Sequence, residues 1–190
     1  MFFQKILCLL NVIAGGLVFF YSLGIMTDLF DSLYSTMRSK DLTKTSVPGS
    51  YIYYEMQDFN KLFVKLSIVL ILAAVVLFIT GTNSRRKYYI GNYFAVALNA
   101  IYGFGFALWA HLQIQTYRGE FLQIDFAALK EHAETWDTLY TESTFWFDIH
   151  YLFFGIVIIL EILQIVNLFW KRSLMKGEAE LIRAGKGAVA

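Results

Sequence analysis

The chain of 190 residues has a single cysteine, Cys8, which excludes an intrachain disulfide and a thiolate metal cluster. Cys8 falls inside an apolar stretch, where a free thiol acts as a small buried hydrophobe. Charge of one sign is also missing. Sixteen basic and 15 acidic residues leave a formal net charge of +1, with no long basic stripe of the kind nucleic acid requires, so no nucleic-acid partner is expected. No Gly-rich loop precedes a basic residue to cradle phosphate, and there is neither a nucleophile elbow nor a His-Glu-x-x-His pair. The beginning, MFFQKILCLLNVIAGGLVFFYSLGIM, lacks the short core and small-x-small cleavage site of a removable signal, so it is read as a retained first helix.

Apolar surface is what the chain has in abundance. Hydrophobic residues make up 57% of it and aromatic residues 18%, against an apolar share of about 45–50% in soluble domains. Four stretches are long enough to cross a bilayer: about 4–27, 61–81, 89–113 and 146–170. The fourth is framed by Trp146 and Trp170, placed like rings at headgroup level, with Lys171 and Arg172 directly after it. These stretches predict an all-α fold, a four-helix transmembrane bundle forming one domain in the lipid bilayer.

Charge then orients the bundle. Arg85, Arg86 and Lys87 fill the short loop between the second and third helices with no acid beside them, and Lys171, Arg172 and Lys176 follow the fourth. Loops 28–60 and 114–145 dilute their basic residues among acids. The positive-inside rule therefore places both termini in the cytoplasm. The absence of disulfides and of Asn-x-Ser/Thr acceptors in the outer loops points to a bacterial cytoplasmic membrane.

The outer segments carry helical spacing of their own. Leu29, Leu33 and Met37 extend the first helix outward by about two turns, and Pro48-Gly49 marks the turn back. In the second outer loop Leu122, Phe126, Leu129, Ala133, Trp136 and Tyr140 recur at steps of three and four, which predicts a short amphipathic helix over 125–140 capped by Asp125. Its acidic polar face suits a lid on the bundle better than a bed on anionic lipid. The tail 171–190 is expected to fray where it turns to Gly and Ala.

Three constellations bear on function. Glu161 and Asn99 each lie about ten residues from the basic end of their helix, a depth of roughly 15 Å at 1.5 Å per residue. Asn11 is at a comparable or slightly shallower level and Gln164 one turn from Glu161, so three helices offer polar groups to one layer. Such a layer either fixes helix register or holds a proton or cation, because an ionisable group in lipid needs a partner. No second intramembrane acid is present for a relay. The second constellation is the row Gly91, Ala95, Asn99, Gly103, Ala107, His111 at four-residue steps, a seam along which backbones approach closely. It drifts about 40° per step, so a crossing helix follows two or three steps of it. The third pairs His111 with His150, both near the outer ends of their helices, as a speculative ligand pair for haem iron or, with Asp148, a metal ion.

The leading expectation is a non-catalytic accessory or scaffolding subunit that packs on a partner subunit or another copy of itself, from the combination of a small-residue seam, many lipid-facing aromatic residues and no catalytic motif. The alternatives are a small proton-coupled or cation transporter or channel using Glu161, and a haem- or metal-binding redox protein using His111 and His150. No catalytic residue, resident metal or cofactor is assigned.

Overall fold

A computed structural model describes residues 2–25, 49, 52–82, 90–136 and 141–187. They form six helices, α1 (Phe2–Gly24), α2 (Ile52–Thr82), α3 (Ile90–Phe121), α4 (Phe126–Trp136), α5 (Phe145–Asp148) and α6 (His150–Gly187), with no strand among the described residues. The four long helices close an antiparallel ring in which α1 packs on α2 and α6, and α3 packs on the same two. All four contain segments long and apolar enough to cross a membrane: Phe3–Gly24, Asp58–Thr82, Asn92–Phe121 and Phe145–Ile182. A helix satisfies its backbone internally, which lipid demands. The outward faces are correspondingly apolar, with Phe20, Ile79 and Ile101 turned away from the bundle.

The helices outrun the hydropathy-defined spans. α2 begins at Ile52 rather than near 61, because Ile52, Met56, Phe59 and Phe63 keep a buried stripe at helical spacing beyond the most apolar stretch. Buried Ile114 and Phe121 do the same for α3, which ends at Phe121 rather than near 113. At its other end α6 continues through the helix-forming part of the tail, where Leu174, Met175, Lys176, Glu178 and Leu181 are good helix formers, and reaches Gly187, into the Gly- and Ala-rich end. The fourth span begins as the short α5, whose break at Ile149 is slight since that residue keeps φ −65 and ψ −17.

The extension expected at Leu29, Leu33 and Met37 lies outside the described residues, as do Pro48, Tyr140 and the loop with Arg85, Arg86 and Lys87. The short outer helix is observed as Phe126–Trp136. Asp125 caps it: its Oδ1 accepts the N–H of Ala128 at 3.0 Å, and its backbone carbonyl accepts that of Leu129 at 2.9 Å. The apolar side of α4, Leu129 and Ala133, is buried, and Leu129 joins the cluster of Phe121, Ile124 and Phe147. Gly49 has φ +83, and a Cβ there would come within 2.8 Å of the Ile124 Cα, so only glycine lets the first long loop approach the second this closely.

Trp146, partly exposed at the start of its span, also packs inward. Its ring lies where a Cβ on Gly24 would stand, its carbonyl accepts the Tyr21 hydroxyl at 2.8 Å, and its ring stacks on Tyr21 at 6.4 Å between centroids. The gap left by Gly24 draws the indole inward. Trp170 remains exposed.

Two apolar clusters fill the ring. The larger is centred toward the end remote from the chain termini, around Tyr21, Phe63, Phe106, Phe147 and Phe154, and also takes in Ala14 and Leu7. A smaller one, Cys8, Leu77, Ala95 and Val96, sits toward the terminus-bearing end. A polar layer containing Glu161 comes between them.

Candidate functional site

Glu161 lies on α6, 1% exposed, facing α3. It fits there because α3 supplies Gly103 at the contact: a Cβ on Gly103 would stand 3.0 Å from Glu161 Oε1 and 3.1 Å from its Cγ. The missing side chain is the space the carboxyl fills. One turn away Asn99 Nδ2 donates to Glu161 Oε1 at 2.5 Å and approaches Asn11 Oδ1, across the bundle on α1, at 3.4 Å. Asn11 in turn donates from Nδ2 to the Leu7 carbonyl at 3.0 Å. Three helices thus meet in one buried chain of polar atoms. Gln164, one turn along α6, reaches Cys8 instead, with Nε2 at 3.7 Å from Sγ.

This network is incomplete. Glu161 Oε2, Asn99 Oδ1 and Gln164 Oε1 are buried and have no hydrogen-bond partner among the described residues. All three are acceptors, so the layer is short of positive hydrogen. A proton on Glu161, a cation or a water molecule would each supply what is missing.

The small-residue row faces the same helix. Asn99 and Gly103 meet Glu161, Ala107 lies beside His150 and Phe154, and His111 meets His150, so α6 follows the row over three steps. One step further Ala95 has drifted into the cluster with Cys8 and Leu77. Gly91 continues the row toward the start of α3. The described part of the seam is therefore buried inside the chain rather than offered to a neighbour.

His111 and His150 come together, with His111 Nδ1 and His150 Nε2 2.8 Å apart. His150 Nδ1 is hydrogen-bonded to the Phe147 carbonyl. A carbonyl only accepts, so His150 carries a proton on Nδ1, and with a neutral His150 its Nε2 accepts from His111 Nδ1–H. The rings lie beside a cleft of about 480 Å³ between α3 and α6, lined also by Phe104, Leu108, Tyr151 and Ile158. Asp148 is not available to join them, because its Oδ1 accepts from Arg118 Nε at 2.8 Å and its Oδ2 from Thr144 Oγ1 at 2.6 Å. Among the described residues no group of three or more His, Cys, Asp or Glu side chains is placed to hold a metal ion. The pair offers two nitrogens at most, and a haem or metal would need its other ligands from elsewhere.

Sequence reasoning did not place several buried polar groups that the fold assembles below Glu161. Gln4 Nε2 donates to the Gly81 carbonyl at 2.9 Å, and Asn92 and Asn167 are buried on α3 and α6. A Cβ on Gly81 would stand 2.8 Å from Cys8 Sγ, 3.1 Å from Gln4 Nε2 and 3.9 Å from Asn92 Oδ1, so these groups share one corner. The spacing Gln4, Cys8, Asn11 on α1 and Glu161, Gln164, Asn167 on α6 is the signal that was present. Ser22 and Ser67, 3.2 Å apart between α1 and α2, were also missed.

The fold and this layer together define an all-helical bundle of four apolar, membrane-length helices with a carboxyl at its centre. No family model matches the chain, and no curated protein or solved structure matches it either.

Proposed function

We propose that the protein is a small proton-coupled membrane transporter whose proton-binding group is Glu161. The observation that carries this reading is the buried carboxyl held at one oxygen by Asn99 and without a partner at the other. A structural role accounts for it poorly. An interhelical hydrogen bond in lipid contributes on average about 0.6 kcal/mol and at most about 1.7 kcal/mol. A charged side chain at the centre of a spanning helix costs about 2.5–3.5 kcal/mol on insertion scales. The bond does not offset the charge, so the carboxyl is held there in its protonated form, and an apolar residue would hold the helices without any proton to bind. A carboxyl that exchanges its proton has a reason to be there.

For the accessory-subunit reading, α6 covers the described part of the seam within the chain, which leaves a partner the apolar outward faces. The redox reading has two imidazoles hydrogen-bonded to each other, with no third His, Cys, Asp or Glu grouped with them among the described residues. For orientation, the basic residues at 85–87 and 171–176 support cytoplasmic termini, and the absence of extracellular sequence features supports a bacterial cytoplasmic membrane.

The test is proton movement. Purified protein in liposomes containing a pH-sensitive dye is expected to collapse an imposed pH gradient faster than empty liposomes, and Glu161→Gln, close to isosteric, is expected to remove the difference. Wild-type rates in Glu161→Gln protein with the same melting profile would rule the role out.

A further inference from the structure

The polar groups on the terminus side of Glu161 form a column. At the level of Glu161 stand Asn99 and Asn11; one turn nearer the termini come Gln164 and Cys8; another turn on come Gln4, Asn92 and Asn167, each no more than 7% exposed. The unpartnered acceptors follow the same line: Glu161 Oε2 and Asn99 Oδ1, then Gln164 Oε1, then Asn92 Oδ1. Four buried oxygens without a hydrogen-bond partner are stacked at successive turns over roughly 10 Å, and a proton on Glu161 would supply a single donor among them, leaving the amide oxygens further along unmet. Buried polar atoms of this kind are ordinarily met by water.

The other side of Glu161 is built differently. Seven residues further along α3 and α6, about 10 Å away, Phe106 and Phe154 meet Tyr21 from α1 and Phe63 from α2. One ring from each helix, all buried, closes the axis with centroid separations of 5.6 Å for Phe63–Phe106, 6.0 Å for Phe106–Phe154 and 5.8 Å for Tyr21–Phe63. Nothing in this plug attracts water except the Tyr21 hydroxyl, which is spent on the Trp146 carbonyl.

We infer that the terminus-side half of the bundle is a half-channel that admits water and small cations, protons included, from the face bearing the chain ends as far as Glu161, and that the four-ring plug stops them there, a proton passing on from Glu161 only when the rings move apart. The inference rests on the reading of Glu161 only for its destination. Column and plug are properties of the core.

Cys8, the only cysteine in the chain and fully buried in the column, is a native reporter. Full-length protein is placed in liposomes, with the side carrying the C-terminus fixed by protease access to a terminal tag. Silver ion, a thiol-seeking monovalent cation, is applied to one face, and the fraction of Cys8 still open to alkylation after unfolding is read by mass. Protection of Cys8 from the terminus-bearing face is expected to be at least tenfold faster than from the opposite face. With Cys8 replaced by alanine and Ile25→Cys placed beyond the plug, that preference is expected to vanish. Equal rates from both faces, no protection from either, or equally fast protection of position 25 from the terminus side would overturn the half-channel. One-sided protection of Cys8 in a protein without proton flux would instead remove the transport reading and leave the half-channel standing, and Glu161→Gln protein is expected to keep it.

Discussion

Beyond Glu161 the core is closed by Tyr21, Phe63, Phe106 and Phe154, one ring per helix, while on the terminus side the same helices face one another with amides, a thiol, Gly81 and Ala95. The far half is held by packing, the force that associates helices where lipid removes the hydrophobic drive. Its hydroxyl and serine groups are matched: Tyr21 with the Trp146 carbonyl, Ser22 with Ser67, Tyr102 with the Leu66 carbonyl at 2.8 Å. Asn60, near the start of α2, with neither side-chain atom hydrogen-bonded, and Gln115 Nε2 on α3 depart from that pattern among the described residues. On the terminus side unmatched acceptors recur turn after turn. Stability resides in one half and polar access in the other.

That contrast is open to being broken by substitution. Phe63, fully buried and in ring contact with Phe59, Tyr21, Phe106 and Phe154, carries the largest expected effect. Phe63→Ala is expected to cost about 3 kcal/mol, the low end of the range for a buried phenyl, because the unfolded reference in lipid already keeps the ring out of water. Denaturation in mixed micelles measures it; a loss below about 1 kcal/mol would mean that the plug is not what holds the bundle.

Gly103→Ala comes next. Its methyl group would press on the Glu161 carboxyl at 3.0–3.2 Å, so overpacking of about 1–3 kcal/mol is expected together with loss of the Asn99 contact and of proton flux. Retention of both stability and flux would show that α3 and α6 are not in close contact at this level.

Gln164→Leu is expected to act with the opposite sign. Its Oε1 is buried without a partner, and its Nε2 has only the weak thiol contact. Replacing it with an apolar side chain of similar size is expected to leave stability unchanged or to raise it by about 1 kcal/mol. The same substitution should slow silver protection of Cys8 several-fold. A clear destabilisation would mean that the terminus-side polar groups are structural after all.

The depth of the polar layer was legible before any coordinates because helix rise is constant. Counting residues inward from the basic ends put Glu161, Asn99 and Asn11 at one level, and that is where Asn99 bridges the other two. The four spans were legible for the same reason, as runs of apolar residues. The helix ends were not: hydropathy falls near 61 and 113, yet burial of Ile52, Met56, Ile114 and Phe121 continues the helices past them. Gln4, Asn92 and Asn167 were passed over because each, taken alone, looks like an ordinary polar residue near a membrane surface; only the shared corner at Gly81 and the spacing along α6 make a column of them. The packing of Trp146 on Gly24 was not legible, since nothing in the chain ties position 146 to that gap. The nearness of His111 and His150 followed from antiparallel helices, whereas the direction of their hydrogen bond depends on the Phe147 carbonyl, a contact only the fold creates.

Infrared difference spectroscopy on the reconstituted protein observes the Glu161 proton itself. A step in pH on the terminus-bearing side is expected to change a carboxylic C=O stretching band that shifts in deuterated water and is absent from Glu161→Gln protein. A spectrum with no such band, or one left intact by that substitution, would contradict the assignment of an exchangeable proton to this carboxyl.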